Sequence, residues 1–497
     1  MALSASARFK TRLSALVTRI TRNRLTFVFF LFGFFHCFVQ GMIQSFQFTL
    51  DAEYSSFFTS ITKAAHVGPG NHTEVIQHGD RHQLRLCDDL PHNDGSCTII
   101  FDSNDPKPID IDHNSVGRGL IVKEIIGKSD TSAINTLTGV TLQSPKGSVA
   151  LSQTCVNMLL LPAQRTQNSR RESLAFMLIQ FWLFGISLMA MIRDSVPHVL
   201  TGLSARMLLT AWSTYALWRS PQYEQVYRSL IETAGTPCSF EIFGEYFQTR
   251  LKYEIIDAVL NCTALAIAAY LSLALLKRYN VESFNYVGAP PKIIRIHRYF
   301  MAVKVCLQLE AFVSLTAFGM WTDQIFNTYV GEITDYFKLF EAIFIIWTIL
   351  LVPWIVTGWY GIRYEHRRAT VIFIAVAFVF IASSTMLFSS QVYRWTYYSW
   401  PNFACYATAS LVLLVASFVL AILCRMNFDQ GLSQYLHAEA ALAGSDFAQE
   451  TFEHDIEKNT VGGMSDEKSK VSSVVPVPTY YTLPTLPMNS SGNSGRS

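Results

Sequence analysis

Polar and ionisable side chains stand inside two long apolar segments of this sequence. Lys304, Gln308 and Glu310 interrupt the segment from Tyr299 to Met320, and Arg206 interrupts another. Hydrocarbon solvates charge poorly, so such groups are candidates for ion pairing, proton transfer or transport. Lys304 and Gln308 are four residues apart and share a helix face, whereas Glu310 points elsewhere.

These intramembrane groups allow three interpretations. In the preferred one, Arg206 and Glu310 form an ion pair that joins two helices, since both lie at similar depth. In the second, Arg206 and Lys304 extend to the interface, and Glu310 is a protonated, hydrogen-bonded acid. In the third, the groups line a pathway for a substrate or for protons. Asp257 and Glu341 lie near segment ends, where interfacial water explains them.

Motifs typical of enzymes are absent from the sequence. It holds no HExxH zinc helix, GxSxG turn, Walker loop or metal-spaced set of Cys and His. The stretch Gly185-Ile186-Ser187 starts like an intramembrane serine protease motif, but Leu188 follows it. Seven Asp lie between positions 88 and 112, and their spacing fits no calcium loop. We therefore expect a protein that is not an enzyme, with no catalytic residue, metal or cofactor.

The elements that must position these polar groups are long apolar helices. Half of the residues are hydrophobic and 15% are charged, against roughly a quarter charged in soluble chains. The net charge of +2 gives no reason to expect nucleic-acid binding. A helix needs about 20 apolar residues to cross hydrocarbon. Eight segments qualify: Leu25–Ile43, Ser173–Met191, Val199–Trp218, Ile255–Leu276, Tyr299–Met320, Leu339–Tyr360, Ala369–Phe388 and Phe403–Leu423.

Lys and Arg beside these segments predict how the chain threads the membrane. Basic residues crowd the tail 1–24 and the loops after the fourth and sixth segments, and they are sparse in the alternate loops. Cytoplasmic loops retain such residues, so both termini should be cytoplasmic. A cleaved signal peptide is the alternative for 25–43, but Gln40-Gly41-Met42 is a poor cleavage site. The other seven predicted helices should form a transmembrane bundle over residues 172–424.

Residues 44–171 predict a small β-rich domain on the extracellular or lumenal side. They lack a long apolar block, and short β-branched runs alternate with Gly, Pro, Asn and Asp. Asn71 begins the glycosylation sequon Asn71-His72-Thr73.

Four of the nine cysteines lie outside on this topology and predict two disulfides. Three pairings are possible. We favour Cys87 with Cys97 as a local pair, which leaves Cys155 to join Cys238.

Residues 425–497 predict a cytoplasmic tail that offers a site for a partner. An amphipathic helix over about Leu432–Ile456 is followed by Ser-, Pro- and Gly-rich sequence that should be disordered. Tyr480-Tyr481-Thr482-Leu483 has the form of a sorting signal.

Several short motifs carry a resemblance to a known family. Gln180-Phe181-Trp182, Ser195-Val196-Pro197-His198, Trp321-Thr322-Asp323-Gln324 and Arg425-Met426-Asn427-Phe428 resemble a family of uncharacterised multi-spanning membrane proteins of basidiomycete fungi. The resemblance covers roughly residues 150 to 440 and implies the multi-span architecture. The family tends to have Gly-Lys where this chain has Asp429-Gln430, and the resemblance transfers no functional site.

The expected class is an all-α polytopic membrane bundle of about eight transmembrane helices with a small β-rich domain outside. One outside domain and one long tail favour a receptor, sensor or scaffold in the plasma membrane or secretory pathway, with the bilayer and an extracellular ligand or protein as partners. The alternative is a transporter or channel that uses Arg206, Lys304 and Glu310, with a kink at Pro353 in the sixth segment.

Overall fold

The computed structural model describes residues 21, 23–67, 72–78, 81–87, 97–102, 124–129, 137–144, 147–193, 195–287, 291–328 and 337–431. This part of the chain is mostly helical. Its helices are α1 (Arg24–Ala64), α2 (Gln153–Met158), α3 (Leu160–Arg193), α4 (Val196–Ile231), α5 (Tyr246–Val287), α6 (Pro291–Asn327), α7 (Phe337–Arg363), α8 (Arg367–Leu387), α9 (Gln391–Ser399) and α10 (Pro401–Met426).

Seven helices in the described residues are long and apolar enough to cross a membrane. They are α1, α3 with the short α2 before it, α5, α6, α7, α8 and α10. The predicted segment Val199–Trp218 lies within α4, which is helical throughout but is not among the seven. Arg206 and the other polar side chains of α4 lower its mean hydropathy. The helical bundle is thus confirmed, and α4 holds the one predicted span that is not among the seven.

Two helices extend beyond the predicted apolar segments. Residues 44–64 continue α1, and residues 160–171 begin α3, although both stretches were predicted as part of the β-rich domain. No Gly or Pro falls between residues 42 and 67, so nothing in the backbone stops α1 where its apolar run ends. The helix stops at Ala65 and His66, where His66 takes a positive φ of 46°.

Within the described residues, the strands lie between residues 72 and 152 and form two antiparallel sheets of three strands. One holds β1 (His72–His78), β2 (Arg81–Cys87) and β3 (Cys97–Asp102), and the other holds β4 (Glu124–Ser129), β5 (Leu137–Ser144) and β6 (Gly147–Ser152). Cys87 and Cys97 face each other in the β2–β3 register and form a disulfide.

One end of the bundle carries these strands, and we call it the strand-bearing end. There Val140 and Leu142 of β5 pack in one buried cluster with Phe58 of α1, Tyr227 of α4 and Phe243 of the loop after α4. The cluster buries the apolar face of the second sheet against the helices, and such packing stabilises a small sheet.

Helix α4 runs back along α3 to the strand-bearing end. It starts directly after α3 ends, and a second disulfide joins Cys238, in the loop after α4, to Cys155 of α2. Midway, Ala205 and Leu209 of α4 share a buried cluster with Leu183 of α3. Both predicted cysteine pairs are therefore confirmed.

The other helices form a second, strongly aromatic core. Trp347 and Trp354 of α7 pack against Phe373 and Phe380 of α8. At Gly358 of α7, an added Cβ would lie 2.4 Å from the Phe373 ring, so only glycine allows this approach. Pro353 lies inside the helix, as predicted from the sequence.

Candidate functional site

Arg206 and Glu310 do not form the predicted ion pair. Arg206 donates a hydrogen bond to Nδ1 of His36 on α1 at 3.1 Å and lies over the Phe32 ring at 5.1 Å. Equal depth was the basis of the prediction, but Arg206 faces α1 whereas Glu310 faces α10. The prediction was wrong because depth does not determine the direction in which a side chain leaves its helix.

The other three predicted groups lie in separate places. The Glu310 carboxyl is fully buried and accepts hydrogen bonds from Ser314 and, at 2.9 Å, from Ser410 on α10. Gln308 accepts a hydrogen bond from Thr201 at 2.7 Å, and the Lys304 ammonium lies 5.2 Å from the Phe300 ring centroid. Arg206, Lys304, Gln308 and Glu310 thus do not converge on one site. The hydrogen-bonded acid of the second interpretation is the arrangement found at Glu310.

A different set of residues surrounds a polar cavity between α1, α3, α4 and α5. Its part at the strand-bearing end, the upper chamber, has about 680 Å³ of space between its lining residues, which includes open solvent. The part deeper in the bundle, the lower chamber, has about 510 Å³ by the same measure and reaches Gln180 in the middle of α3. Five residues line both chambers, so the two are adjacent: Glu172, Trp212, Ala216, Arg250 and Glu254.

Two polar stripes with the same spacing supply most of the polar residues that line the lower chamber, and they also form the ion pairs beside it. On α1 the stripe is Gln40, Gln44, Gln47 and Asp51, and on α5 it is Arg250, Glu254, Asp257 and Asn261. Steps of four, three and four residues keep side chains on one face of a helix. This spacing is visible in the sequence, but we missed it because the first predicted span stopped at Ile43.

Asp257 is the centre of the lower chamber. It is buried, with 8% of its surface exposed, which contradicts the prediction that interfacial water surrounds it. Its carboxylate accepts hydrogen bonds from the amides of Gln40 and Gln44 on α1, from the Ser213 hydroxyl on α4 and from the Asn261 amide one turn along α5. Three helices therefore meet on one carboxylate. Glu341 is the other acid that was assigned to interfacial water, and its side chain lies outside the described part of the structure.

Arg250 carries the charge network between the two chambers. Its guanidinium donates to the fully buried Asp51 on α1 and, at 2.9 Å, to Glu254 on its own helix. The Tyr246 hydroxyl donates to Asp51 at 2.7 Å. Residue 51 was predicted to lie outside the bundle, and it instead ties α1 to α5.

Glu172 connects the cavity to the other half of the bundle. It accepts a hydrogen bond from the Trp400 indole at 2.7 Å and pairs with Arg165 at 3.9 Å. The preceding residue, Arg171, donates to Asp323 and Gln324 of α6. The Asp-Gln of the Trp321-Thr322-Asp323-Gln324 motif therefore anchors α3.

The upper chamber has aromatic walls and both signs of charge. The guanidinium groups of Arg165 and Arg219 lie over the Tyr223 ring at 4.5 Å and 5.0 Å. The Arg219 Nε donor, and the Asn402 Oδ1 and Glu254 Oε2 acceptors, are buried without a hydrogen-bond partner. Seven aromatic residues line the chamber: Trp212, Tyr215, Tyr223, Tyr227, Phe243, Tyr246 and Phe247.

The unpartnered atoms of the lower chamber are all oxygens. They are Oε1 of Gln40, Gln44 and Gln180 and Oε2 of Glu254. A buried polar atom without a partner costs free energy, so such groups are explained by water or by a ligand that binds there. Within the described residues, no group of three or more His, Cys, Asp or Glu is arranged to hold a metal ion.

Several predicted features lie outside the described residues. These are Asn71 of the sequon, six of the seven Asp residues between 88 and 112, the basic tail to residue 20, and the tail beyond residue 431 with its predicted helix and sorting signal.

Comparisons with known proteins find no match. No family model, curated protein or solved structure is similar to this chain. The resemblance to the basidiomycete membrane family stays a prediction that rests on the short motifs quoted above.

Proposed function

We propose that the chain is an integral membrane protein of eight spans, with α4 as the eighth. The disulfide of Cys155 with Cys238 supports this, because α4 must return from the end of α3 to the loop held near its start. Met207, Leu208 and Trp218 expose apolar surface on α4, as a lipid-facing side requires. An even number of spans keeps both termini on the side marked by Lys and Arg, the cytoplasm.

In this arrangement the strand-bearing end faces the cell exterior or the lumen. Two disulfides at that end fit an oxidising compartment. The plasma membrane or another membrane of the secretory pathway is therefore the proposed location. Epitope tags at both termini, read with and without permeabilisation, test the topology. Tags on opposite faces would refute it.

We propose further that the protein is a receptor or sensor for a small solute that binds in the upper chamber. The observation that carries the proposal is an aromatic chamber with an unpartnered cationic donor at Arg219 and an unpartnered acidic acceptor at Glu254. Ligand sites are mostly apolar cavities in which a few convergent polar groups fix the ligand's orientation. This chamber has that composition and lies at the strand-bearing end, where Tyr227 and Phe243 of its wall pack with the strands.

The polar groups indicate the chemical class of the solute. An anionic group would satisfy Arg219, whose neighbour Arg165 lies over the same Tyr223 ring and adds a second positive charge. A cationic group would satisfy Glu254 and would be attracted to the aromatic faces. The proposed ligand is therefore a small amphoteric solute such as a free amino acid.

Melting of the purified full-length protein in detergent micelles tests this class. Free amino acids are compared with their N-acetyl derivatives, which lack the cation, and with their methyl esters, which lack the anion. We expect the free forms to raise the melting temperature. Each blocked form should bind at least about tenfold more weakly, because a hydrogen bond to a charged group contributes about 1.5–3 kcal/mol.

Two variants locate the effect. Arg219→Gln should abolish the stabilisation by the free forms. Arg363→Gln is the matched control, since Arg363 also lies over an aromatic ring, that of Trp359, but lines neither chamber. The proposal fails if no member of the panel stabilises the protein, if blocked forms stabilise it equally, or if Arg219→Gln responds as the unmodified chain does.

A transporter is the second candidate function. It is favoured by the adjacency of the two chambers, whose polar lining together extends from the strand-bearing end to the middle of α3. Uptake of a stabilising solute into proteoliposomes separates the two functions, because a receptor binds the solute without accumulating it. A folded Glu310→Gln variant with unaltered fluxes would remove Glu310 from any transport pathway.

A further inference from the structure

The lower chamber has an unusual imbalance between hydrogen-bond donors and acceptors. The amide nitrogens of Gln40 and Gln44 are directed to Asp257, which leaves the two amide oxygens buried without a donor. Gln180 and Glu254 each add another unpartnered oxygen. All four of these residues are more than nine-tenths buried. The chamber is thus lined by oxygens that lack a positively polarised partner.

The charged side chains that line the lower chamber are also unbalanced, with more acids than bases. The lower chamber is lined by the acids Glu172, Glu254 and Asp257 and by one base, Arg250. Arg250 is engaged by Asp51 and Glu254, and Glu172 pairs with Arg165.

Asp257 differs from the other acids of the chamber. Its four hydrogen-bond donors, two glutamine amides, one asparagine amide and one hydroxyl, are all uncharged. Among the ion pairs formed by the described residues, none includes Asp257. A carboxylate held in the low-dielectric interior of a bundle is costly without a counter-charge.

We infer that the lower chamber binds an alkali metal cation, with Asp257 as its counter-ion and the Gln40 and Gln44 amide oxygens as neutral ligands. Hard cations prefer carboxylate and carbonyl oxygens, which are the ligand types offered here. One uncompensated carboxylate matches a single positive charge. The site shares the Glu254 carboxylate with the upper chamber, but its proposed counter-ion and ligands, Asp257, Gln40 and Gln44, line the lower chamber alone, so the inference does not require a solute in the upper one.

Occupancy of this site would hold three helices together. The ligands belong to α1 and α5, and the Ser213 hydroxyl on α4 meets the same carboxylate. A ligand that binds only the folded state raises its stability with the logarithm of ligand concentration above the dissociation constant. The cation should therefore stabilise the folded protein.

The test measures the melting temperature of the full-length protein in detergent micelles at constant ionic strength. Choline chloride is replaced stepwise by NaCl in one series and by KCl in another. We expect a saturable rise with at least one alkali ion, and the two series show which ion is preferred. A melting temperature that stays constant while choline is replaced, in both series, overturns the inference.

Variants assign the response to the chamber. Asp257→Asn should abolish the alkali dependence, and Gln44→Met, which removes one oxygen ligand, should raise the half-saturating concentration at least tenfold. Gln44→Met keeps the carboxylate, so it carries the test if Asp257→Asn does not fold.

Glu310→Gln is the matched control. Glu310 is another buried carboxyl with uncharged hydrogen-bond donors, but it lines neither chamber. Its variant should keep the unmodified response. Unchanged alkali dependence in Gln44→Met overturns the site. A melting temperature that changes with pH but not with either ion also overturns the site, because a proton would then neutralise Asp257.

Discussion

Replacing Asp51 with Asn tests the buried charge network that joins α1 to α5. In the folded protein Arg250 donates to Asp51, and Tyr246 donates to the same carboxylate oxygen at 2.7 Å. The substitution keeps the size of the side chain but removes its charge. Arg250 then keeps one carboxylate partner, Glu254 at 2.9 Å.

The size of the loss follows from burial. Removing one member of a buried ion pair costs about 3–5 kcal/mol, because the remaining charge stays in the interior. Glu254 still compensates Arg250, so we expect Asp51→Asn to lose about 3 kcal/mol of unfolding free energy. Arg250→Met leaves two acids without their cation and should lose more. The double variant should lose less than the sum of the two by at least about 1 kcal/mol.

Denaturant unfolding in mixed micelles, followed by tryptophan fluorescence, gives these free energies. Asp429→Asn is the control, since Asp429 pairs with Arg367 on the surface and the two side chains are 64% and 73% exposed. Exposed pairs contribute at most about 1 kcal/mol. Equal losses at positions 51 and 429, or strict additivity in the double variant, would refute the burial of this network.

Three further substitutions probe other contacts. Cys155→Ser and Cys238→Ser should each lose about 2–4 kcal/mol, and the double variant should lose no more than either one; non-reducing peptide mapping checks the link. Gly358→Val should lose about 1–3 kcal/mol in the same unfolding assay, because the added Cβ meets the Phe373 ring. Trp400→Phe removes an indole donor from a buried carboxylate, so it should lose about 1–3 kcal/mol. Because this variant lacks one tryptophan, its unfolding curve must be corrected for the missing Trp400 fluorescence.

The helices and the cysteine pairs could be predicted from the sequence for clear physical reasons. Backbone groups in hydrocarbon must bond within their own helix, so long apolar runs predict helices directly. Cys87 and Cys97 flank a short connection between two strand-like runs, which brings them together in a hairpin. Once they pair, only Cys155 and Cys238 remain of the four on that side.

The cavity could not be predicted by counting apolar residues. One of its polar stripes crosses the end of the first predicted span, so Gln40 was placed in a span while Gln44 and Asp51 were placed in the outside domain. Helical spacing carries the missing information, since residues three and four apart share a face whatever the solvent around them. Arg206 and Glu310 do not pair because they leave their helices on faces that meet different neighbours. Which helices are neighbours depends on the packing of the whole bundle, which the sequence pattern does not give.

The neighbouring residues Arg171 and Glu172 fix the position of α3 more firmly than either could alone. Consecutive side chains leave a helix about 100° apart, and here one is held by α6 and the other by Trp400, the residue before α10. Turning α3 about its axis, or sliding it along that axis, would break both attachments. If the cavity widens or narrows, α3 is therefore the stationary wall, and the displacement falls to α1, α4 and α5.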